Sequence, residues 1–87
     1  MNKQVKEVNH LIKILLFAGL QEEIGADSLM MDCTECTVLE VKKYVLTKFP
    51  LVDLQQVITA VNEEFSQEED KVISGDVVAF LPPVSGG

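Results

Sequence analysis

One helical stripe governs what this 87-residue chain can fold into. Val38, Val41, Val45 and Phe49 recur at helical spacing, with Lys42 and Lys43 off the stripe. The segment is fenced at both ends. Thr37 and Glu40 have the spacing of a capping box, in which each side chain accepts the other's backbone N–H. Pro50 closes the helix near Phe49, because the residue before a proline is pushed out of helical geometry. A single helix of this length has one apolar face and must bury it against other elements. Nearly everything else in the chain reads as short strands.

Leu11 to Ala18 reads as a buried central strand, with Ile12, Ile14 and Leu16 on one face and Lys13, Leu15 and Phe17 on the other. Gly19 to Gly25 reads as a short helix stopped by glycine. Ser28 to Asp32 is a second strand. Val57 to Val61 is a β-rich run, turned at Asn62-Glu63 into a short strand at Glu64 to Ser66. Ser74-Gly75-Asp76 is a turn before the last strand, Val77 to Leu81. This order predicts an α+β fold, a mixed sheet packed against one main helix. If Ile14, Leu16, Val78 and Phe80 face the helix, Phe17 and Leu81 face away. They then meet on the uncovered side of the sheet, where an apolar patch marks a binding surface. Residues 1–10 are polar and aperiodic and read as a flexible extension, with His10 solvated at its edge. The domain proper is expected over 11–81, and 82–87 as a tail.

Fourteen acids face seven bases, all lysine, for a net charge of -7. That balance argues against nucleic acid, whose affinity comes from basic residues, and favours a basic protein partner. Glu68-Glu69-Asp70 reads as a solvated acidic loop. Lys3 and Lys6 precede an apolar run, but Lys13 interrupts it, and the run reads as a strand rather than a leader. No stretch is long enough to span a membrane, and a cytoplasmic setting is expected. There is no serine–histidine–acid set, no glycine-rich phosphate loop and no metal-ligand cluster, so the chain is expected to bind no cofactor or metal and to catalyse nothing alone. Cys33-Thr34-Glu35-Cys36 is the competing signal: this spacing before a helix suits thiol redox exchange. Glu35 opposes a thiolate there, and two cysteines are half of a closed zinc set. The plainer reading is two unpaired thiols in a loop.

The sequence closes with Phe80-Leu81-Pro82-Pro83-Val84-Ser85-Gly86-Gly87. Two prolines end strand pairing, since they carry no N–H. Two glycines without Cβ make a slender tip that can enter a narrow channel. From Pro82 onward the tail can reach roughly 20 Å, at about 3.3 Å per residue. The functional group it delivers is the α-carboxylate of Gly87.

An apolar strand, Pro-Pro-Val, a small polar residue and Gly-Gly resemble the ending of the MoaD family, the small sulfur-carrier subunits of molybdopterin synthase. The match is close over 76–87 and general in layout over 11–87. The resemblance implies the β-grasp, or ubiquitin-like, fold, with first and last strands parallel at the sheet's centre. It implies that a MoeB-like adenylyltransferase uses ATP to adenylate Gly87, and that a sulfurtransferase supplies sulfur to form a thiocarboxylate. It further implies that a MoaE-like large subunit, in a heterotetramer, takes up Pro82, Pro83, Val84, Ser85 and Gly86. The sulfur then passes to cyclic pyranopterin monophosphate in molybdenum cofactor biosynthesis. Phe17 and Leu81 fall on the expected partner face, and Phe65 joins them on resemblance alone. Leu81 stands where the family often has phenylalanine, which bears on partner fit. Carriers for thiamine or cysteine biosynthesis share the Gly-Gly end and form the alternative of the same chemistry. A small thiol-redox protein using Cys33 and Cys36, or a ubiquitin-like binding module with an inert tail, are the alternatives of other classes.

Overall fold

The computed structural model describes residues 10–83. Strand β1 (Leu11–Leu16) leads into helix α1 (Ala18–Ile24), then β2 (Ser28–Asp32), β3 (Glu35–Thr37) and helix α2 (Val38–Lys48). Strands β4 (Ile58–Val61), β5 (Glu64–Ser66), β6 (Lys71–Ile73) and β7 (Val77–Leu81) follow among the described residues. A five-stranded mixed sheet has the order β2-β1-β7-β4-β5, and β3 pairs with β6 in a separate two-stranded sheet. The two middle strands, β1 and β7, run parallel, with Ile14 opposite Val78 and Leu16 opposite Phe80. This is the α+β, β-grasp arrangement.

Alternation puts Ile12, Ile14, Leu16, Val78 and Phe80 on one side of the sheet, each at most 1% exposed. They meet Val38, Val41 and Val45 of α2, all at 0%. Burying that much apolar area contributes about 1.5–3 kcal/mol for each large side chain, and this drives the fold. The capping box forms in full. Thr37 Oγ1 accepts from the Glu40 N–H at 3.2 Å, and Glu40 Oε1 accepts from the Thr37 N–H at 2.9 Å. Two more first-turn N–H groups of α2, those of Val38 and Leu39, donate to the carbonyls of Asp70 and Glu68. The acidic loop is therefore exposed but not merely solvated: its backbone finishes the N-terminus of α2. Lys42 also pairs with Glu68 at 3.2 Å.

Two expectations need correcting. Cys33 lies in the loop between β2 and β3, but Cys36 lies in strand β3, paired with Val72, and is buried, so only one of the two thiols sits in a loop. Strands β3 and β6 themselves were not expected; each has three residues, too few for alternation to show. His10 is exposed, and its Nδ1 lies 3.2 Å from Thr34 Oγ1.

Candidate functional site

The side of the sheet away from α2 has no element packed on it among the described residues. Its central row is read straight from register. Leu15 stands opposite Ala79, Ala79 opposite Ala60, and Ala60 opposite Phe65. Two alanines between larger neighbours leave a shallow apolar trough. Phe17 and Leu81 border the same trough, with Asn62 and Glu63 at its rim. Phe65 is 80% exposed and Phe17 39%. Leu81 is half-buried. The structure thus brings together Phe17, Leu81 and Phe65 on one open face.

A local brace fixes the trough's edge. Asn62 and Glu63 take positive φ values of 52° and 71°, the pattern of a tight hairpin turn of primed type between β4 and β5. Asn62 then reaches β7. Its Nδ2 donates to Asp76 Oδ1 at 2.9 Å, and its Oδ1 accepts from the Val77 N–H at 3.0 Å. Asp76 Oδ2 accepts from the Ile73 N–H at 2.9 Å, and the Asp76 carbonyl accepts from the Lys13 N–H at 3.1 Å. Asn62 and Asp76 therefore tie the hairpin and both central strands into one frame. Sequence reading saw Asn62 only as a turn residue; its partnership with Asp76 is nonlocal and left no local signal.

The root of the tail leaves this frame beside the trough. Pro82 and Pro83 are exposed and border a groove shared with Phe17, Leu20, Glu23 and Asp53. Phe17 thus borders both the open face and the tail root. Because β1 and β7 are parallel, both strands deliver their C-terminal ends to this same end of the sheet. Val84, Ser85, Gly86 and Gly87 lie outside the described residues.

Cys33 Sγ donates to the Glu35 carbonyl at 3.3 Å. Burial pushes the Cys36 thiol up to about 12, helped by its contact with Cys33 and the nearby Glu40 charge. A thiol so held is protonated at neutral pH, which opposes redox exchange at this pair. Among the described residues no group of three or more His, Cys, Asp or Glu is placed to hold a metal ion. No helix among them is long and apolar enough to cross a membrane.

Residues 14–87 match the model of the ThiS family. The molybdopterin synthase sulfur carrier subunit of Dictyostelium discoideum is 37% identical over 86 residues, covering 92% of this chain and 100% of that protein. Among solved structures, SAMP1 of Haloferax volcanii superposes with a TM-score of 0.75 at 25% identity, over 88% of this chain and 99% of that one. A chain in the complex of subunits 1 and 2 of the molybdopterin-converting factor from Helicobacter pylori 26695 shares the fold, with a TM-score of 0.60 at 20% identity over 88% and 99% of the two chains.

Proposed function

The chain belongs to the ThiS family and is a ubiquitin-like sulfur carrier, and we propose that it serves as the small subunit of a molybdopterin synthase, carrying sulfur on the carboxylate of Gly87. The observation that carries this reading is the shared end of β1 and β7. One apolar face and the root of the Pro-Pro tail are built around the same residue, Phe17. A partner docked on the face is therefore positioned to receive the tail. The name borne by the Dictyostelium discoideum relative supports a molybdopterin synthase rather than a thiamine or cysteine pathway.

The chemistry runs through the carboxylate. An α-carboxylate with a pKa of roughly 3.3–3.7 is ionised at neutral pH and is a poor electrophile. One of its oxygens attacks the α-phosphorus of ATP on a MoeB-like adenylyltransferase, and pyrophosphate leaves. A sulfur nucleophile from a sulfurtransferase attacks the acyl carbon of the adenylate, and AMP leaves. A second thiol then attacks the donor's sulfur, breaks its bond to the transferred sulfur and forms a disulfide with the donor, and Gly87 is left as a thiocarboxylate. A MoaE-like large subunit then takes up residues 82–87, and the sulfur passes to cyclic pyranopterin monophosphate. The dithiolene product holds two sulfurs, so two carrier turnovers are required per product. ATP belongs to the activating partner in this scheme.

The test is to shorten and lengthen the tail. Deleting Gly87 moves the carboxylate back by about 3.3 Å. A displacement of about 1 Å already costs on the order of a hundredfold when reacting atoms must align. Both the deletion and a one-residue extension should lose ATP–pyrophosphate exchange with the activating enzyme. The unaltered chain, given ATP and a sulfur source, should gain about 16 Da as sulfur replaces oxygen on the acyl group. Activation of both altered chains at the unaltered rate overturns the reading.

A further inference from the structure

Glu63 holds a backbone conformation that glutamate rarely adopts. Its φ is 71°, in the left-handed region that glycine favours at such a turn. A residue stays there only where its surroundings over-determine the backbone. The hold comes from the side chain of Asn62, next to it in the turn. A regular antiparallel pair exchanges N–H and carbonyl both ways. Here the Asn62 N–H donates to the Val77 carbonyl at 2.8 Å, but the returning bond from the Val77 N–H ends on Asn62 Oδ1, at 3.0 Å. Nδ2 of the same side chain donates to Asp76 Oδ1 at 2.9 Å. Asparagine meets the three demands of this place: it tolerates positive φ, accepts once and donates once. Aspartate would set a second carboxylate against Asp76, and glycine would offer neither group.

What this brace steadies is β5, a three-residue edge strand paired only with β4 among the described residues. Phe65 at its middle is largely exposed, so the packing of its own ring does little to fix it. The strand is secured at its two ends instead. Past Ser66, the Glu68 carbonyl accepts from the Leu39 N–H at 3.0 Å and ties the chain to α2. At the other end stands the braced turn. We infer that Asn62 is a positioning residue for partner docking: with Asp76 it aims β5 so that Phe65 borders the trough before any partner arrives. The inference rests on the reading of the open face as the docking surface for the large synthase subunit, and names the pair that holds that surface ready. A face set in advance escapes the ordering cost that association otherwise carries.

The experiment uses the full chain and the purified large subunit, with Kd measured by calorimetry at a temperature where thermal melts show every variant folded. Asn62→Gly keeps the turn's φ and removes the brace, so its Kd should rise about tenfold. Phe65→Ala should lose more. Adding Asn62→Gly to Phe65→Ala should then cost little further, since Asn62 acts through Phe65. Asn62→Asp alone sets two carboxylates together and should bind weakly. The swap of Asn62→Asp with Asp76→Asn keeps the net charge and remakes every bond: the carboxylate now at 62 accepts from the Val77 N–H and from the amide now at 76, whose oxygen accepts from the Ile73 N–H. Its Kd should return to within about threefold of the unaltered chain. A brace that only stabilises the fold would lower Tm and leave the Kd of folded Asn62→Gly unchanged. That result overturns the inference while the docking reading stands. So does full additivity of Asn62→Gly with Phe65→Ala, or a folded swap that binds no better than Asn62→Asp. An Asn62→Gly chain that cannot fold makes the brace a folding device and overturns it as well. If Phe65→Ala binds like the unaltered chain, or the unaltered chain does not bind the large subunit, the docking reading falls and takes this inference with it.

Discussion

Replacing Phe65 by alanine should separate docking from folding in one substitution. An aromatic side chain offers about 150–250 Å² to bury. Phe65 is 80% exposed in the free chain. A partner covering it would remove about 120–200 Å² from water, worth about 3–5 kcal/mol at roughly 25 cal/mol per Å². Ordering and imperfect fit take part of that, so the expected loss of binding is about 2–3 kcal/mol, or about 30- to 150-fold in Kd. The folding term is small by the same reasoning. Truncating a wholly buried phenylalanine costs about 3–5 kcal/mol. A residue with only a fifth of its surface covered should cost about 0.6–1 kcal/mol, or about 3–8 °C in Tm for a domain of this size. Phe80 supplies the contrast, because it is 0% exposed on the other side of the sheet. Phe80→Ala should lose the full core penalty, a large share of the about 5–15 kcal/mol a small domain has. Calorimetric binding to the large subunit and thermal melting on both variants decide the matter. Unchanged affinity in Phe65→Ala, or a melting loss as large as that of Phe80→Ala, refutes the assignment of the open face.

Three further outcomes are expected. Thr37→Ala removes one arm of the capping box and should cost about 0.5–2 kcal/mol of stability, read from urea midpoints, with carrier activity retained; a loss of activity in folded protein would give Thr37 a role that this geometry lacks. Alkylation at pH 8 should label Cys33 ahead of Cys36, whose burial holds its thiol up to about 12 from an ordinary 9.0. The sign of the linkage follows: the fold keeps a proton that the unfolded chain releases, so this contribution to stability is whole below pH 9 and is lost as pH rises toward 12. Cys33→Ser with Cys36→Ala should leave sulfur transfer nearly intact, and a folded double variant without transfer would reinstate the thiols as participants.

The long-range logic of this chain was legible wherever a local pattern was long enough to carry it. β2 and β7 fall on the residues expected, and β1 differs only at its end. Their alternation correctly sorts Ile14, Leu16, Val78 and Phe80 inward and Phe17 and Leu81 outward. The helix was legible twice over, from its stripe and from its caps. Topology was not: periodicity does not say which strands pair, and the parallel β1–β7 pairing came from resemblance to a family. Strands β3 and β6 were invisible because three residues cannot establish a period. The cysteine motif misled because spacing says nothing about burial. Phe65 entered the site through resemblance alone, and its register with Ala60 now places it on the trough.

The parallel pairing of β1 and β7 also has a mechanical side. β7 is held by β1 along one edge and by β4 along the other. A pull on Pro83 directed along β7, resisted at the start of β1, draws two parallel strands past each other. Their hydrogen bonds are then strained together in shear, not opened one after another as in a peeled hairpin. A machine that grips the tail and tugs therefore meets its stiffest resistance along the direction in which the tail must be offered. The domain can surrender its last residues to a tight channel, and be withdrawn again, without unravelling at the strand from which they hang.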